Sequence, residues 1–316
     1  MNEIKTSLVV AAALCTLGLS TLTAHAMPTR TWVSGKGSDS NPCTLASPCR
    51  TFAYAITQTA AGGEIDVLDP AGYGSLAINK AISIVNDGVG EAGVQAAAGA
   101  TAITISIAVT DAVHLRGLTL EGAGTALDGI GFTSGGTLTL INCVIRHFAH
   151  DGVNISSNSS SVFTVSNTVV SDNSYAGIRI FPTATSVKGV ISRALVSNNL
   201  NGGIIVNGSS SSAGKLDVII VDTVASNNAA ANGILATSAQ NYAATTVVVR
   251  NSVSSFNFNG LYAATNASIL LGHSTVSGNS SYGIALGGGT IFSYGDNAID
   301  GNVNDGTGFL TSHSMH

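Results

Sequence analysis

The chain has 316 residues, with 12 Lys and Arg against 17 Asp and Glu, a formal net charge of −5 and only 9% charged residues. Its basic residues are scattered singly (Arg116, Arg146, Arg179, Lys188, Arg193, Lys215, Arg250), so no basic stripe exists on which a nucleic acid could release counterions. An acidic polymer such as pectate would also meet little positive charge.

Residues 1–26 carry Lys5, an apolar run from Leu8 to Leu22 and the small-x-small stretch Ala24-His25-Ala26. That pattern reads as a secretory signal peptide, too short and too rich in small residues to span a bilayer. Leu14 fits poorly before Cys15 in a lipoprotein cleavage site, so the expectation is a free protein from Met27, periplasmic, secreted or held at the cell surface. No other segment is long and apolar enough to cross a membrane.

Residues 27–62 read as an N-terminal cap. Cys43 and Cys49 flank a short Pro-containing loop and are expected to form a disulfide in an oxidising compartment, two free thiols being the alternative. A zinc site would need a second ligand pair, which is missing. Ser47-Pro48 and the following CRTFAYAITQTAA predict a short helix with Ser47 as its cap, Pro48 in its first turn and Gly62-Gly63 as its stop. Phe52, Ile56 and Thr59 then share one face. A repetitive segment begins at residue 63; this helix is expected to plug its open N-terminal end, and Phe309–His316 to cover the other end.

From residue 63 to 316 a short phrase recurs. Its first half reads NTVVSDN from Asn167, RALVSNN from Arg193, DTVASNN from Asp222, NSVSSFN from Asn251, HSTVSGN from His273 and DNAIDGN from Asp296. Its second half is Gly followed by alternating aliphatics, at Gly129, Gly152, Gly177, Gly203, Gly233, Gly260 and Gly283. The terminal asparagines lie 26, 29, 29, 22 and 23 residues apart. A period of that size means a solenoid, here of about nine to ten coils. β-Branched residues, Ser and Thr dominate while Gly, Asn and Asp punctuate, which makes its coils strands and the fold all-β.

Two columns two residues apart should share the core face of a strand: Ile130, Val153, Ile178, Ile204, Ile234, Leu261, Ile284, and Phe132, Ile155, Ile180, Val206, Ala236, Ala263, Leu286. Each buried aliphatic is worth about 1.5–3 kcal/mol, so stacking makes the array cooperative. Asn173, Asn199, Asn228, Asn257, Asn279 and Asn302 predict a structural ladder, because Asn tolerates a left-handed turn and stacked amides pair. Cys143, after the polar corner at Asn142, reads as a small core residue.

The coil phrase, the Asn column and the Gly-Ile-x-Ile strands resemble the right-handed parallel β-helix of the pectin-lyase-like superfamily, over roughly Gly63 to Gly306. Thr31–Gly74, with its Cys-x5-Cys and Leu-Asp-Pro-x-Gly runs, further resembles secreted bacterial β-helix proteins of no established activity.

Asp128 and Asp151 each precede the Gly of neighbouring coils, so stacking should bring them to one column, with His147 and His150 beside the second. Asn154 and, one coil on, Arg179 should project outward there. Paired carboxylates are what glycoside hydrolysis uses. The placement is similar to that of the polygalacturonases, whose aspartates lie in Asn-Thr-Asp-Gly and Gly-Asp-Asp motifs. Asp128 would match the first and Asp151 the second, with His150 in place of the remaining aspartate. Ala126-Leu127 replace Asn-Thr, Tyr175-Ala176-Gly177 replaces Gly-His-Gly, and Arg179-Ile180-Phe181 lies one coil early without the Lys of Arg-Ile-Lys. The resemblance therefore implies no intact hydrolase.

A lyase would need calcium on an acidic cluster and a strand-borne base, for which Asp151, Asp172 and Arg179 are candidates; otherwise no metal or cofactor is expected. The structural alternative has both aspartates bonding the backbone amides that follow them. Tyr262, Tyr242, Phe256, Phe258, Tyr282, Phe292 and Tyr294 gather toward the C-terminus, where Tyr262 could stack on a sugar or a partner. The expectation is an exported, non-catalytic protein binding an extracellular or surface polysaccharide or partner through Asp128, Asp151, Asn154, Arg179 and Tyr262. A polysaccharide-degrading enzyme using Asp128, Asp151, His150 and Arg179, or a purely structural adhesin-like module, are the alternatives.

Overall fold

Period-two alternation settles into stacked strands. The computed structural model describes residues 26–183 and 186–314, and among them the chain winds through three sheets of twelve, ten and nine strands. One coil shows the plan: Thr137–Ile141 in the first sheet, Val144–Arg146 in the second and Val153–Ile155 in the third. Each pairs in parallel with the equivalent strand of the next coil, as Val153 with Ile178 and Ile155 with Ile180. The result is a right-handed parallel β-helix. Both aliphatic columns face one continuous core, with Leu286 only partly buried at its C-terminal end.

Two tight corners join the sheets. Between the first and second, Asn142, Asn167, Arg193, Asp222, Asn251 and His273 adopt φ of 46–55°, the left-handed region that turns the chain sharply. A small buried residue follows each. Thr168 Oγ1 accepts the amide of Cys143 at 3.3 Å, Ser252 Oγ that of Thr223 at 3.2 Å, and Ser274 Oγ that of Ser252 at 3.2 Å. Cys143 is thus a buried core residue, as expected, and hydroxyls repeat at this corner, in two runs separated by Ala194, which the sequence did not announce.

The second corner, between the second and third sheets, holds the asparagine ladder. Asn173 through Asn279 are at most 1% exposed, while Asn302 is partly exposed at the end of the stack. Each Oδ1 accepts both the backbone N–H and the Nδ2 of the rung before it, at 3.0 and 3.1 Å from Asn199 to Asn228 and 3.0 and 3.0 Å from Asn228 to Asn257. The stack starts from the amide of Phe148 and ends where Asn302 donates N–H and Nδ2 to Asp305 Oδ1, at 3.2 and 2.9 Å. One expectation is corrected here. The left-handed residue is the one before each ladder asparagine (Asp172, Asn198, Asn227, Phe256, Gly278, Gly301, φ 56–68°), and that turn is what points the amide inward.

The N-terminal segment is more entwined than a plug. Arg30–Val33 pairs with Gly63–Val67 and is the first strand of the first sheet. Cys43 and Cys49 are disulfide-bonded, and Cys49 exchanges backbone bonds with Trp32 and Ser34 at 2.9 Å. That pairing keeps Ser47–Arg50 extended, so the helix is Phe52–Gln58, capped by Thr51 and not by Ser47, and it ends at Thr59, before Gly62. Asp39 fixes the start by accepting the amides of Arg50 and Thr51. Phe52, Ala55, Ile56 and Thr59 are buried against the first coils. At the other end Leu310–Ser312 pairs with Thr290–Ser293, so the tail does extend the first sheet. Most of the predicted signal peptide lies outside the described residues, and none of the described helices is long and apolar enough to cross a membrane.

Asp69 ties this cap to the solenoid. It accepts from Gly35 N at 2.6 Å, Ser34 Oγ at 2.7 Å and the Tyr73 hydroxyl at 2.8 Å. The Gly35 amide, aided by Ser34, Tyr73 and Lys36 against the opposing effect of burial, holds its carboxyl below the usual range. A depressed carboxylate stabilises above its unfolded pKa, near 4, and that stability is lost as pH falls through the folded value. The fluorescence of Trp32, the only tryptophan, is therefore expected to report cap loosening in acid. Asp69→Asn should be loose already at neutral pH and lack the acid step; identical acid profiles for the two proteins would refute this role.

Candidate functional site

Asp128 and Asp151 lie two residues before consecutive strands of the third sheet, Ile130–Ser134 and Val153–Ile155, and stacking puts them in one column as expected. Their bonds run between coils. Asp128 Oδ1 accepts the amide of Asp151 at 3.0 Å, and Asp151 Oδ1 that of Ala176 at 3.3 Å. The structural alternative is thus corrected: each carboxylate bonds the next coil's amide, as a ladder rung does, and not the amides of its own turn.

A charge network closes over the pair. Arg179 Nε donates to Asp151 Oδ2 at 2.6 Å, and His150 Nδ1 lies 2.9 Å from Asp128 Oδ1 and 3.3 Å from Asp151 Oδ2. Asn154 Nδ2 donates to Asp128 Oδ2 at 3.3 Å, while its own buried Oδ1 has no partner among the described residues. Asp151 is fully buried and Asp128 is 6% exposed. Burial pushes the Asp151 carboxyl up, against the opposing pull of Arg179 and His150.

Aromatic rings form the rim. The His150 ring stacks on Tyr175 at 4.8 Å, and the Arg179 guanidinium lies over the rings of Tyr175 and Phe181 at 5.6 and 5.5 Å. Neither terminal guanidinium nitrogen has a hydrogen-bond partner among the described residues, Nε being the one engaged.

A family model described as a right-handed beta helix region matches residues 96–216 and again 128–304, together more than half of the chain. The chain belongs to that family. Among solved structures, this β-helix is similar to the pectate lyase Pel9A over 86% of its own length and 79% of that chain, with a TM-score of 0.56 at 14% identity. An alginate lyase from Paenibacillus sp. str. FPU-7 is matched over 91% and 99%, with a TM-score of 0.45 at 14% identity. A rhamnogalacturonan lyase is matched over 80% and 75%, at 0.42 and 15%. At these identities the likeness is one of fold. No curated protein matches in sequence.

Of the residues predicted for a site, the β-helix brings together Asp128, His150, Asp151, Asn154 and Arg179. His147 is separated from them: its left-handed backbone turns the ring to the second sheet, 2.9 Å from Glu121, which also binds Arg146 at 3.0 Å. Asp172 is exposed on the corner and bonded to Asn198, so the trio Asp151, Asp172 and Arg179 is not assembled. Tyr262 shares the outward column of Arg179 but lies three strands on, about 14 Å away. It lies over Gly287, where a Cβ would come within 2.1 Å of its hydroxyl.

Ligand atoms of Asp128, His150 and Asp151 lie within 4.8 Å of one another. The set does not suit calcium, which wants six to eight oxygens, because one donor is an imidazole and a guanidinium already occupies the Asp151 oxygen. Sequence reasoning missed Tyr175 and Phe181 as rim residues. Their signal was positional: Tyr175 occupies the turn position of His150 one coil on, its amide bonded to the His150 carbonyl at 3.0 Å.

Proposed function

We propose that this is an exported, non-catalytic β-helix that binds an extracellular polysaccharide on the rim formed by His150, Tyr175, Arg179 and Phe181. The observation that carries the reading is the burial of Asp151, with Asp128 and Asp151 both committed to bonds between coils. Glycoside hydrolysis needs two carboxyl groups flanking an accessible bond, about 5–5.5 Å apart for retention or about 6.5–9.5 Å for inversion. A sealed, ion-paired carboxylate cannot flank an accessible bond. What faces solvent is a half-exposed imidazole, two aromatic rings and the free end of a guanidinium, which suits stacking and hydrogen bonding to sugars. Export is supported by the N-terminal leader pattern and by the disulfide. The pectate lyase that shares the fold acts, by its name, on pectate, which supports polysaccharides as the ligand class to test first.

The test is a panel of neutral and uronic polysaccharides offered to Met27–His316, with and without Ca²⁺. The expected result is retention without new reducing ends or unsaturated products, weakened about five- to tenfold by Tyr175→Ala. Product formation that disappears in a folded His150→Ala variant would establish an enzyme instead.

A further inference from the structure

The left-handed column of the second corner is filled by Asp, Asn and Gly in the coils around position 256, residues that accept this backbone with little strain. Phe256 breaks that rule. Its φ is 57° and its side chain is 65% exposed, so strain is retained at a residue that adds little to the core. The ring lies over Gly278 of the next coil, where a Cβ would stand 2.7 Å from Phe256 Cε1. The absence of a side chain there gives the phenyl ring its berth.

Phe256 is not isolated. Phe258 is 47% exposed, Tyr282 in the next coil 37%, and Phe309 packs its ring 6.4 Å from Tyr282. The same corner runs back through Leu200, 57% exposed, to Tyr175. Register is set by the backbone bonds of Leu200 to Asn173 and of Phe258 to Ala231. Tyr175 to Tyr282 spans four steps between coils, an apolar ridge about 19 Å long parallel to the solenoid axis.

Beside it runs a row of hydroxyls. Ser197, Ser226, Ser255 and Ser277 are paired in register at the C-terminal ends of four strands of the second sheet, and the side chains of Ser197, Ser226 and Ser277 make no hydrogen bond among the described residues. Arg179 lies over Tyr175 at the N-terminal end of the ridge; in the Phe256 half the nearby cation in sequence, Arg250, is turned to the Tyr294 ring, and Asp300 and Asp305 precede Phe309. Aromatic faces, free hydroxyls and a cation turned to Tyr294 in the Phe256 half suit a polymer without negative charge.

We infer that this ridge extends the proposed glycan site, and that its ligand is an uncharged, extended polysaccharide lying along the axis from Tyr175 to Tyr282, with Phe256 as its anchor. The inference rests on the glycan-binding reading. Its test is Phe256→Asn in the full chain, measured for thermal stability and for retention on xylan, a neutral β-glucan and polygalacturonate. Asparagine relieves the left-handed strain, so Tm should rise by about 2 °C or more while retention on a neutral polymer falls about tenfold. Binding of a short oligosaccharide at Tyr175 should be unchanged. A stabilised variant that still binds the polymer like the parent, with Tyr175→Ala weakened, would overturn the ridge and leave the glycan site standing. Retention on polygalacturonate alone would overturn the uncharged ligand. No retention on any polymer by the parent protein would remove both readings.

Discussion

Replacing Asn228 by alanine is expected to remove about 3–5 kcal/mol of stability, as much as truncating a buried aromatic. Asn228 is fully buried at the middle of the ladder. Its Oδ1 is the acceptor for the N–H and Nδ2 of Asn199, and its Nδ2 donates to Asn257 Oδ1 and to the carbonyl of Val196. Truncation takes the acceptor from the Asn199 N–H and the donor from the Val196 carbonyl in one neighbouring coil, and removes one of two donors to Asn257 Oδ1 in the other, all in a dry interior. Each orphan costs about 1–3 kcal/mol, of which relaxation recovers a part. Asn302→Ala, at the partly exposed end, should cost less than half as much. Chemical denaturation of the variants measures both, and a loss at Asn228 below about 1 kcal/mol would mean that the amides are not what holds the coils together.

Arg179→Met is the second large effect, and it depends on pH. The variant leaves Asp151 buried with its guanidinium partner gone, a defect that costs about 3–5 kcal/mol where the carboxylate is ionised. Burial already raises the Asp151 carboxyl, and loss of Arg179 raises it further. A group whose folded pKa exceeds its unfolded value stabilises below the unfolded value, near 4, and that stability drains away as pH rises through the folded one. The deficit should therefore be small near pH 4 and grow toward neutrality. Adding Asp151→Asn should recover most of it at pH 7. An equal deficit at both pH values would show that Arg179 contributes packing over Tyr175 and Phe181 and not charge.

The solenoid was readable because one backbone solution repeats, so side chains with the same task return at the same offset in the phrase. Ile178, Ile204 and Ile234 declare a core face that no single coil could. The helix start was misplaced because Ser47-Pro48 is a sound local signal that tertiary pairing of Cys49 with Trp32 overrides. His147 and His150 looked equivalent in the sequence, yet the left-handed turn at His147 sends them to different sheets. The bonds of Asp128 and Asp151 were mis-aimed for a related reason: local rules describe a turn, whereas the amides that bind these carboxylates arrive from the coil above. The same holds for the rings around Arg179. From residue 63 on, neighbours across coils are 19–31 residues away along the chain, and only a known register names them.

The ladder also has a direction. From Asn173 to Asn279 each rung gives its backbone N–H and one Nδ2 hydrogen to the oxygen of the next, C-terminal rung, while from Asn199 on the other Nδ2 hydrogen reaches back to a carbonyl of the preceding coil; the dipoles of the forward bonds add. The positive end of that sum falls where Asp305 supplies a carboxylate, much as an acidic residue serves the first turn of a helix. Growth of the solenoid is thereby constrained. A new coil carrying its own asparagine can be spliced between two existing rungs, because it receives from one neighbour and gives to the other. Appended beyond Asp305, the same coil would meet a terminus that is already neutralised, which makes the interior of the stack, and not its tip, the place where such a chain lengthens.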